Sequence, residues 1–319
     1  MRIAVLTSGG DAPGMNAAVR GVVRCAGYYD MEVFGIERGY KGLLDNQMAL
    51  LSKRAVSGII QRGGTMLMTA RCPEFEEYKY RRLAAENLAN HGIEGLVVIG
   101  GDGSFRGMKE LYEEFGIRCV GIPGTIDNDL AYTDFTLGFD TAVNTVVDSI
   151  NNLRDTMSSH ERVVVVQVMG RHSGDIALYS GIAGGAEVIL VPEHPIKYED
   201  IAKRLTHNKR VGKRSAIIVL AEGAAPVDEV IKEIKKRTDL SVRSTVLGYI
   251  QRGGAPSQAD RVLASRFAER AVSLLRDGKG GRVVGVRDNK IIDDDIKTAL
   301  AMPHKVDEDL YQLANILSV

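Results

Sequence analysis

Apolar and polar positions along this chain fall into blocks. Short runs rich in β-branched residues recur at 3–6, 33–36, 96–99, 119–122, 163–169, 188–191, 216–221 and 283–286, each bounded by Gly, Pro, Asp or Ser. Continuous runs of this length read as strands buried on both faces. Between them, spacings of three and four take over. Ala142, Val143, Val146, Val147, Ile150, Leu153 and Met157 share one helical face, and so do Val262, Leu263, Phe267, Ala271, Leu274 and Leu275. Strand and helix alternate over the whole length. This predicts an α/β protein with mainly parallel sheet and right-handed crossovers.

The chain has 319 residues, and single cores stop growing beyond roughly 250–300 residues, so two lobes are expected. The seams are expected near Gly138-Phe139-Asp140 and near Gly253-Gly254. An apolar share of 45% supplies a sizeable core. Lys plus Arg and Asp plus Glu both number 41, so bulk charge gives no case for a nucleic-acid partner. Cys25, Cys72 and Cys119 have neither zinc-ligand spacing nor a disulfide framework. That fits a reducing cytoplasm. The first apolar run is too short for a signal peptide, and no window is long enough to cross a membrane.

Four glycine clusters stand at predicted strand ends or helix starts: Ser8-Gly9-Gly10 through Asn16, Arg62-Gly63-Gly64-Thr65, Gly100-Gly101-Asp102-Gly103-Ser104, and Gln251-Arg252-Gly253-Gly254. Glycine lets backbone N–H groups approach an anion, and a helix N-terminus adds a positive dipole end. The set reads as a phosphate cradle; each cluster alone also fits plain tight packing. The P-loop pattern is absent, and Arg106 stands where a dinucleotide fingerprint needs its third glycine. Asp102 is the carboxylate placed to serve Mg²⁺ beside phosphate.

The run 119–122 ends in Pro123-Gly124-Thr125-Ile126-Asp127-Asn128-Asp129. A strand that stops at a tight turn and delivers carboxylates suits a ligand site, and Asp127 or Asp129 can accept a proton. The same residues also fit an ordinary Asp-rich turn. Arg162, Arg171, Arg243 and Arg252 offer forked contacts to phosphate. His160, His172 and His194 stand alone in sequence and read as surface or supporting residues. Together these features point to phosphoryl transfer. A kinase for another substrate and a non-catalytic nucleotide or sugar-phosphate sensor are the rival readings.

Six segments carry a closer resemblance: LTSGGDAPGMNA, GGTMLMTAR, VVIGGDGS, PGTIDND, VMGRHSGDIAL and IQRGG, in this order. On them the chain resembles the bacterial ATP-dependent 6-phosphofructokinases over essentially its full length. The resemblance implies two α/β lobes of parallel-type sheet flanked by helices, with the active site in the interlobe cleft. Residues 1–138 plus 251–301 would hold ATP, and 139–250 plus 302–319 would hold fructose 6-phosphate. It further implies a homotetramer and the glycolytic transfer from ATP to the sugar 1-hydroxyl. Gly10, Tyr40, Arg71, Cys72, Gly101, Asp102, Gly103 and Ser104 match ATP positions, and Asp102 matches the Mg²⁺ carboxylate. Asp127 matches the proton acceptor, with Thr125, Asp129, Arg171 and Gly10 as further catalytic positions. Thr125, Ile126, Asp127, Met169, Gly170, Arg171, Glu222, Tyr249 and Arg252 match sugar-phosphate positions of the same chain. Arg162 and Arg243 match those reaching in from a neighbour.

Gly103 and Gly124 resemble the ATP-using branch, because pyrophosphate-using relatives carry larger residues there. Tyr249 departs from the family's histidine, and a phenol donates a hydrogen bond without becoming a cation. At the family's intersubunit site for ADP or phosphoenolpyruvate, Arg20, Arg24, Arg154, Gly185, Glu187 and Lys213 match. However, Gly58 replaces an Asp, Val211 a basic residue, Ser215 a His and Lys53 an Arg. The resemblance with these departures implies a weak effector response.

Overall fold

The computed structural model describes residues 1–318. Its strands are Arg2–Thr7 (β1), Glu32–Ile36 (β2), Met48–Leu50 (β3), Gly95–Gly100 (β4), Arg118–Pro123 (β5), Val163–Val168 (β6), Val188–Leu190 (β7), Ala216–Ala221 (β8), Val242–Val246 (β9), Arg282–Arg287 (β10) and Lys290–Asp295 (β11). All eight apolar runs fall on strands, with Met169 and Val191 lying one residue beyond β6 and β7. They form two sheets, in the orders β11-β10-β5-β4-β1-β2-β3 and β7-β8-β6-β9. The second sheet is wholly parallel. The first is parallel except for β3 and β11, which run antiparallel.

Three strands lie outside the predicted runs: β3, β9 and β11. Each is a sheet edge. An edge strand has one neighbour and a solvated side, so it need not be apolar throughout. Lys290–Asp295 ends in three aspartates, and none of its residues is fully buried. Three residues of β9 are exposed.

The chain divides into two compact units. Unit 1 contains Met1–Ile126, Leu130–Thr141 and Arg252–Pro303; unit 2 contains Asp127–Asp129, Ala142–Gln251 and His304–Val319. The triplet after Ile126 thus groups with the second unit, although β5, which delivers it, belongs to the first.

In unit 1, the helices Met15–Tyr28 and Gln258–Arg276 pack on each other beside the sheet. A Cβ on Gly21 would come within 2.5 Å of Ala268 Cβ, so the missing side chain sets how closely these helices approach. Val262 departs from the predicted buried stripe and is exposed, whereas Phe267, Ala271, Leu274 and Leu275 are buried. Another layer packs Phe105, Met108 and Leu111 with Ala84 and Leu88 against β4 and β5. Burying one such large side chain contributes about 1.5–3 kcal/mol. In unit 2, Val163, Val165, Ile218 and Leu220 meet Ile201, Leu205, Val230 and Ile234.

The strand order determines where a ligand can enter. In the first sheet, β1 has β2 on one side and β4 on the other. The direction of winding reverses between β1 and β4, and loops leaving their carboxyl ends separate and open a crevice. In the second sheet, β6 lies between β8 and β9.

Candidate active site

The first and third glycine clusters leave β1 and β4, the two strands flanking that reversal. Ser8 N donates to Ile99 O at 2.9 Å. Gly9 lies in the left-handed region at φ 84°, with its Cβ direction 3.4 Å from Ser104 Oγ. A Cβ on Gly100 would come within 2.6 Å of both Ser8 O and Ser104 Oγ.

The second cluster joins them. Asn16 Nδ2 donates to Arg62 O and Gly63 O, and Asn16 Oδ1 accepts from Met66 N at 2.7 Å. Thr69 Oγ1 donates to Gly9 O at 2.7 Å. The fourth cluster closes the group. A Cβ on Gly63 would clash with Gly254 O, and one on Gly10 would lie 3.0 Å from Arg252 Nη1. Four segments far apart in sequence are therefore brought to one end of one sheet.

Around this end, Tyr40 is buried against Phe75, and its hydroxyl donates to Ser104 O at 2.5 Å. Burial holds the phenol well above its usual pKa, so it stays a donor. Cys72 precedes the short helix Pro73–Glu76. Burial, with the Glu74 charge adding, pushes its thiol up to about 11, which makes it a poor nucleophile at neutral pH. Arg71 is exposed.

Asp102 opens the helix Asp102–Phe115 and pairs with Arg106 at 2.7 Å. Its side chain is 41% exposed. Among the described residues no group of three or more His, Cys, Asp or Glu could hold a metal ion. A single accessible carboxylate fits Mg²⁺, which keeps several waters and takes its other oxygens from phosphate. Gly103 follows, and nothing lies within 4 Å of its Cβ direction. A Cβ on Gly124, by contrast, would meet Ile99 Cγ2 at 3.0 Å and Met15 Cε at 3.2 Å. Thr125 lies beside Gly101, whose Cβ direction is 3.6 Å from Thr125 Cβ, and its carbonyl accepts from Thr136 Oγ1 at 2.6 Å. Ile126 is buried.

In unit 2 the carboxyl ends of β6, β8 and β9 gather Met169, Gly170, Arg171, Glu222 and Tyr249. Glu222 N donates to Val168 O at 2.9 Å, and Gly223 N to Gly170 O at 3.1 Å. Gly170 takes φ 124°, and a side chain there would strike Ser173 O; one on Gly223 would strike Arg171 O. These glycines fold the loop after β6 tightly, leaving Arg171 and Glu222 exposed. The fully buried Gln251 ties Met169 N (3.1 Å) to Gly248 O (2.9 Å), fixing the turn that carries the exposed Tyr249.

Asp127 and Asp129 are half-buried. Asn128 between them adopts φ 53°, a left-handed conformation that Asn tolerates better than most residues. Its Nδ2 donates at 2.9 Å to Oδ2 of Asp175, the first residue of the helix Asp175–Ala183 that follows the Arg171 loop.

Arg162 and Arg243 are not brought to this end. Arg162 precedes β6, and Arg243 sits beside Val164 in register. Six residues of β6 separate Arg162 from Met169, roughly 20 Å at the usual strand rise.

The effector-type residues of unit 2 do assemble. Arg154 Nη2 donates to Gly184 O (2.7 Å) and Gly185 O (2.8 Å), and Lys213 Nζ lies 2.9 Å from Glu187 Oε1. Glu187 is 1% exposed, and its Oε2 accepts from Ile217 N. Val211 and Lys213 are exposed nearby in sequence, and Ser215 is half-buried. In unit 1, Arg20 and Arg24 lie one turn apart on the helix Met15–Tyr28, and Gly58 is left-handed with open space at its Cβ direction. Lys53 packs its stem over Gly27.

Of the three histidines noted in sequence, His160 and His172 are exposed. His194 stacks on Tyr311 with ring centroids 4.1 Å apart and lies 3.3 Å from Glu308. Sequence reasoning missed Asn16, Asp175, Gln251 and His304. An asparagine within the first glycine segment was a signal for Asn16. Gln251 opens the fourth glycine cluster and Asp175 lies within VMGRHSGDIAL, whereas nothing local marked His304.

The chain matches the phosphofructokinase family model over residues 2–275. It is 57% identical over 318 residues to the ATP-dependent 6-phosphofructokinases of Bacillus thuringiensis (strain Al Hakam) and Bacillus cereus (strain AH187), covering 100% of this chain and 99% of each relative. It superposes on phosphofructokinase from Saccharomyces cerevisiae with a TM-score of 0.88 and 33% identity, over 99% of this chain and 46% of the yeast chain. This chain therefore spans less than half of the yeast chain. A pyrophosphate-dependent phosphofructokinase from Marinobacter aquaeolei shares the fold, with a TM-score of 0.86 at 24% identity over 97% of this chain and 86% of that one. By family match and full-length identity, the chain belongs to the phosphofructokinase family.

Proposed function

We propose that this protein transfers the γ-phosphoryl group of ATP to the 1-hydroxyl of fructose 6-phosphate, giving fructose 1,6-bisphosphate and ADP in glycolysis. The observation that carries the reading is the convergence of the four glycine clusters at the carboxyl ends of β1 and β4, with Arg252 held over Gly10. Bare backbone N–H groups suit a polyphosphate, and the guanidinium at their edge suits the phosphate of the sugar.

Unit 1 supplies the ATP residues: Gly10, Tyr40, Arg71, Cys72 and Gly101 to Ser104. Tyr40 acts by fixing the Ser104 carbonyl, and so the first turn of the helix that carries Asp102. Asp102 would hold Mg²⁺, which when bound neutralises the phosphate charge that builds during transfer.

Unit 2 supplies the sugar-phosphate residues Met169, Gly170, Arg171, Glu222 and Tyr249, joined by Thr125, Ile126 and Arg252. The Asp127 carboxylate takes the proton of the 1-hydroxyl. The freed oxygen forms its bond to the γ-phosphorus as the bond to the β–γ bridging oxygen breaks, and ADP leaves. Asp129 and Arg171 support this step, Arg171 by meeting the charge on the transferred group. The position of Arg162 and Arg243 at the other end of the second sheet supports their serving a neighbouring chain, in a homotetramer. ADP or phosphoenolpyruvate would act only weakly at Arg20, Arg24, Arg154, Gly185, Glu187 and Lys213. The three free cysteines support a cytoplasmic setting, and no described helix is long and apolar enough to cross a membrane.

The test is a coupled assay with ATP, Mg²⁺ and fructose 6-phosphate. Stoichiometric ADP and fructose 1,6-bisphosphate are expected. ATP binding without turnover would overturn the reading in favour of a sensor.

A further inference from the structure

His304 is the first residue of the C-terminal segment of unit 2 and is remote in sequence from every glycine cluster and from the Asp127 turn. Its Nε2 lies 3.6 Å from Asp175 Oδ2, and its Nδ1 lies 4.0 Å from Glu193 Oε1. The same Asp175 oxygen accepts the Asn128 amide at 2.9 Å. Glu193 Oε1 in turn accepts from Gly174 N at 2.9 Å. Asn128 and Asp175 are each only 7% exposed. One imidazole thus bridges the two carboxylates that organise the loop after β6, and one of those carboxylates holds the middle residue of Asp127-Asn128-Asp129.

We propose that His304 is a positioning residue: it holds the Asp175 carboxylate on Asn128 and so sets the left-handed turn that presents Asp127 and Asp129. The inference rests on the proposed kinase reaction and adds a residue to it. Asn tolerates the left-handed conformation without requiring it, so what its side chain is bonded to decides whether the turn keeps it. A buried amide bonded to a buried carboxylate holds it there while the carboxylate keeps its charge in place. Removing the cation beside Asp175 weakens that hold.

The groups facing the imidazole are Asp175 at the start of the helix Asp175–Ala183, Glu193 after β7, and Asp129 in the turn. The contact to Asp175 raises the imidazole's pKa above the ordinary value; burial opposes this, and the charges of Asp175, Glu193 and Asp129 add to it. A raised pKa means that the contact is complete at low pH and is lost as pH rises through the folded value. Activity should therefore fall on the alkaline side as the turn loosens.

The test uses the whole protein. The kcat–pH profile is measured for wild type and for His304→Gln, which keeps a donor but does not titrate, and the His304 imidazole is followed by NMR in wild type and in Asp175→Asn. We expect kcat at neutral pH to drop roughly 10-fold in His304→Gln, short of the ~10²-fold cost of a 1 Å misplacement. The alkaline limb should flatten, with the KM for ATP unchanged. The wild-type imidazole should titrate above the ordinary histidine value and move toward it in Asp175→Asn. A profile superimposable on wild type, with only a lowered melting temperature, would overturn the positioning role. So would a wild-type imidazole that titrates at or below the ordinary value. Wild-type protein without turnover would overturn the kinase reading itself, whereas active wild type with an unchanged variant profile overturns only the role of His304.

Discussion

The Arg252 guanidinium lies directly over Gly10, with Nη1 3.0 Å from where a Cβ on that glycine would stand. A methyl group there meets the far end of a flexible side chain, so the fold can accept it, but the guanidinium must move. Gly10→Ala should therefore raise the KM for fructose 6-phosphate. Part of a charged contact worth about 1.5–3 kcal/mol is at stake, so a several-fold rise is expected with little change in melting temperature. An unchanged KM would separate Arg252 from the sugar phosphate.

Gly63 presents the opposite case. A Cβ there strikes a backbone carbonyl, Gly254 O, which cannot rotate away. Gly63→Ala should destabilise the protein by about 1–3 kcal/mol, the usual cost of overpacking, visible as a lower denaturation midpoint. A variant as stable as wild type would show that the contact between the second and fourth glycine clusters is slack.

Asp127→Ser should lower kcat by at least ~10²-fold, the usual scale for a general base. Sugar-phosphate binding, followed by calorimetry, should largely survive. A near-normal kcat would move the proton-accepting role to another group.

Arg162→Ser should raise the KM for fructose 6-phosphate more than that for ATP. Because Arg162 precedes β6 and the Met169–Arg171 loop follows it, one chain cannot place both at one phosphate. Mixed oligomers of Arg162→Ser and Asp127→Ser chains should then regain activity that neither parent has. Hybrids as inactive as their parents would argue that each site is built from a single chain.

Glu187 is already engaged by Lys213, Ile217 N and Arg154 without any effector, and Gly58, Val211 and Ser215 offer no charge. Each missing charge-assisted contact removes about 1.5–3 kcal/mol. Fructose 6-phosphate saturation curves with and without ADP or phosphoenolpyruvate should nearly coincide. A steep, sub-millimolar displacement by either would contradict this.

The interior strands, and the edge strand β7 whose three residues are all buried, could be read directly because they are apolar. The edges β3, β9 and β11 could not, since one solvated side removes that signal: Val242-Arg243-Ser244-Thr245-Val246 pairs as a strand through its backbone. The glycine clusters were visible as strand-end chemistry. Their meeting was not, because it depends on which strand neighbours which, and the order β5-β4-β1-β2 is a property of the whole sheet. His304 was the least legible. It lies 129 positions from Asp175, and no spacing rule connects a residue near the C-terminus to the turn after β5.

Gly103 and Gly124 differ in how the fold uses their missing side chains. The Cβ direction of Gly103 is open, and as a helical residue it forgoes up to about 1 kcal/mol relative to alanine. Gly124 is hemmed in by Ile99 and Met15. Enlarging residue 103 is therefore a one-step change that folding does not oppose, whereas enlarging residue 124 asks the buried Ile99 and Met15 side chains to give way by a few tenths of an ångström. Packing thus imposes an order on any enlargement of these two positions: 103 first, and 124 only after the core beneath it has made room.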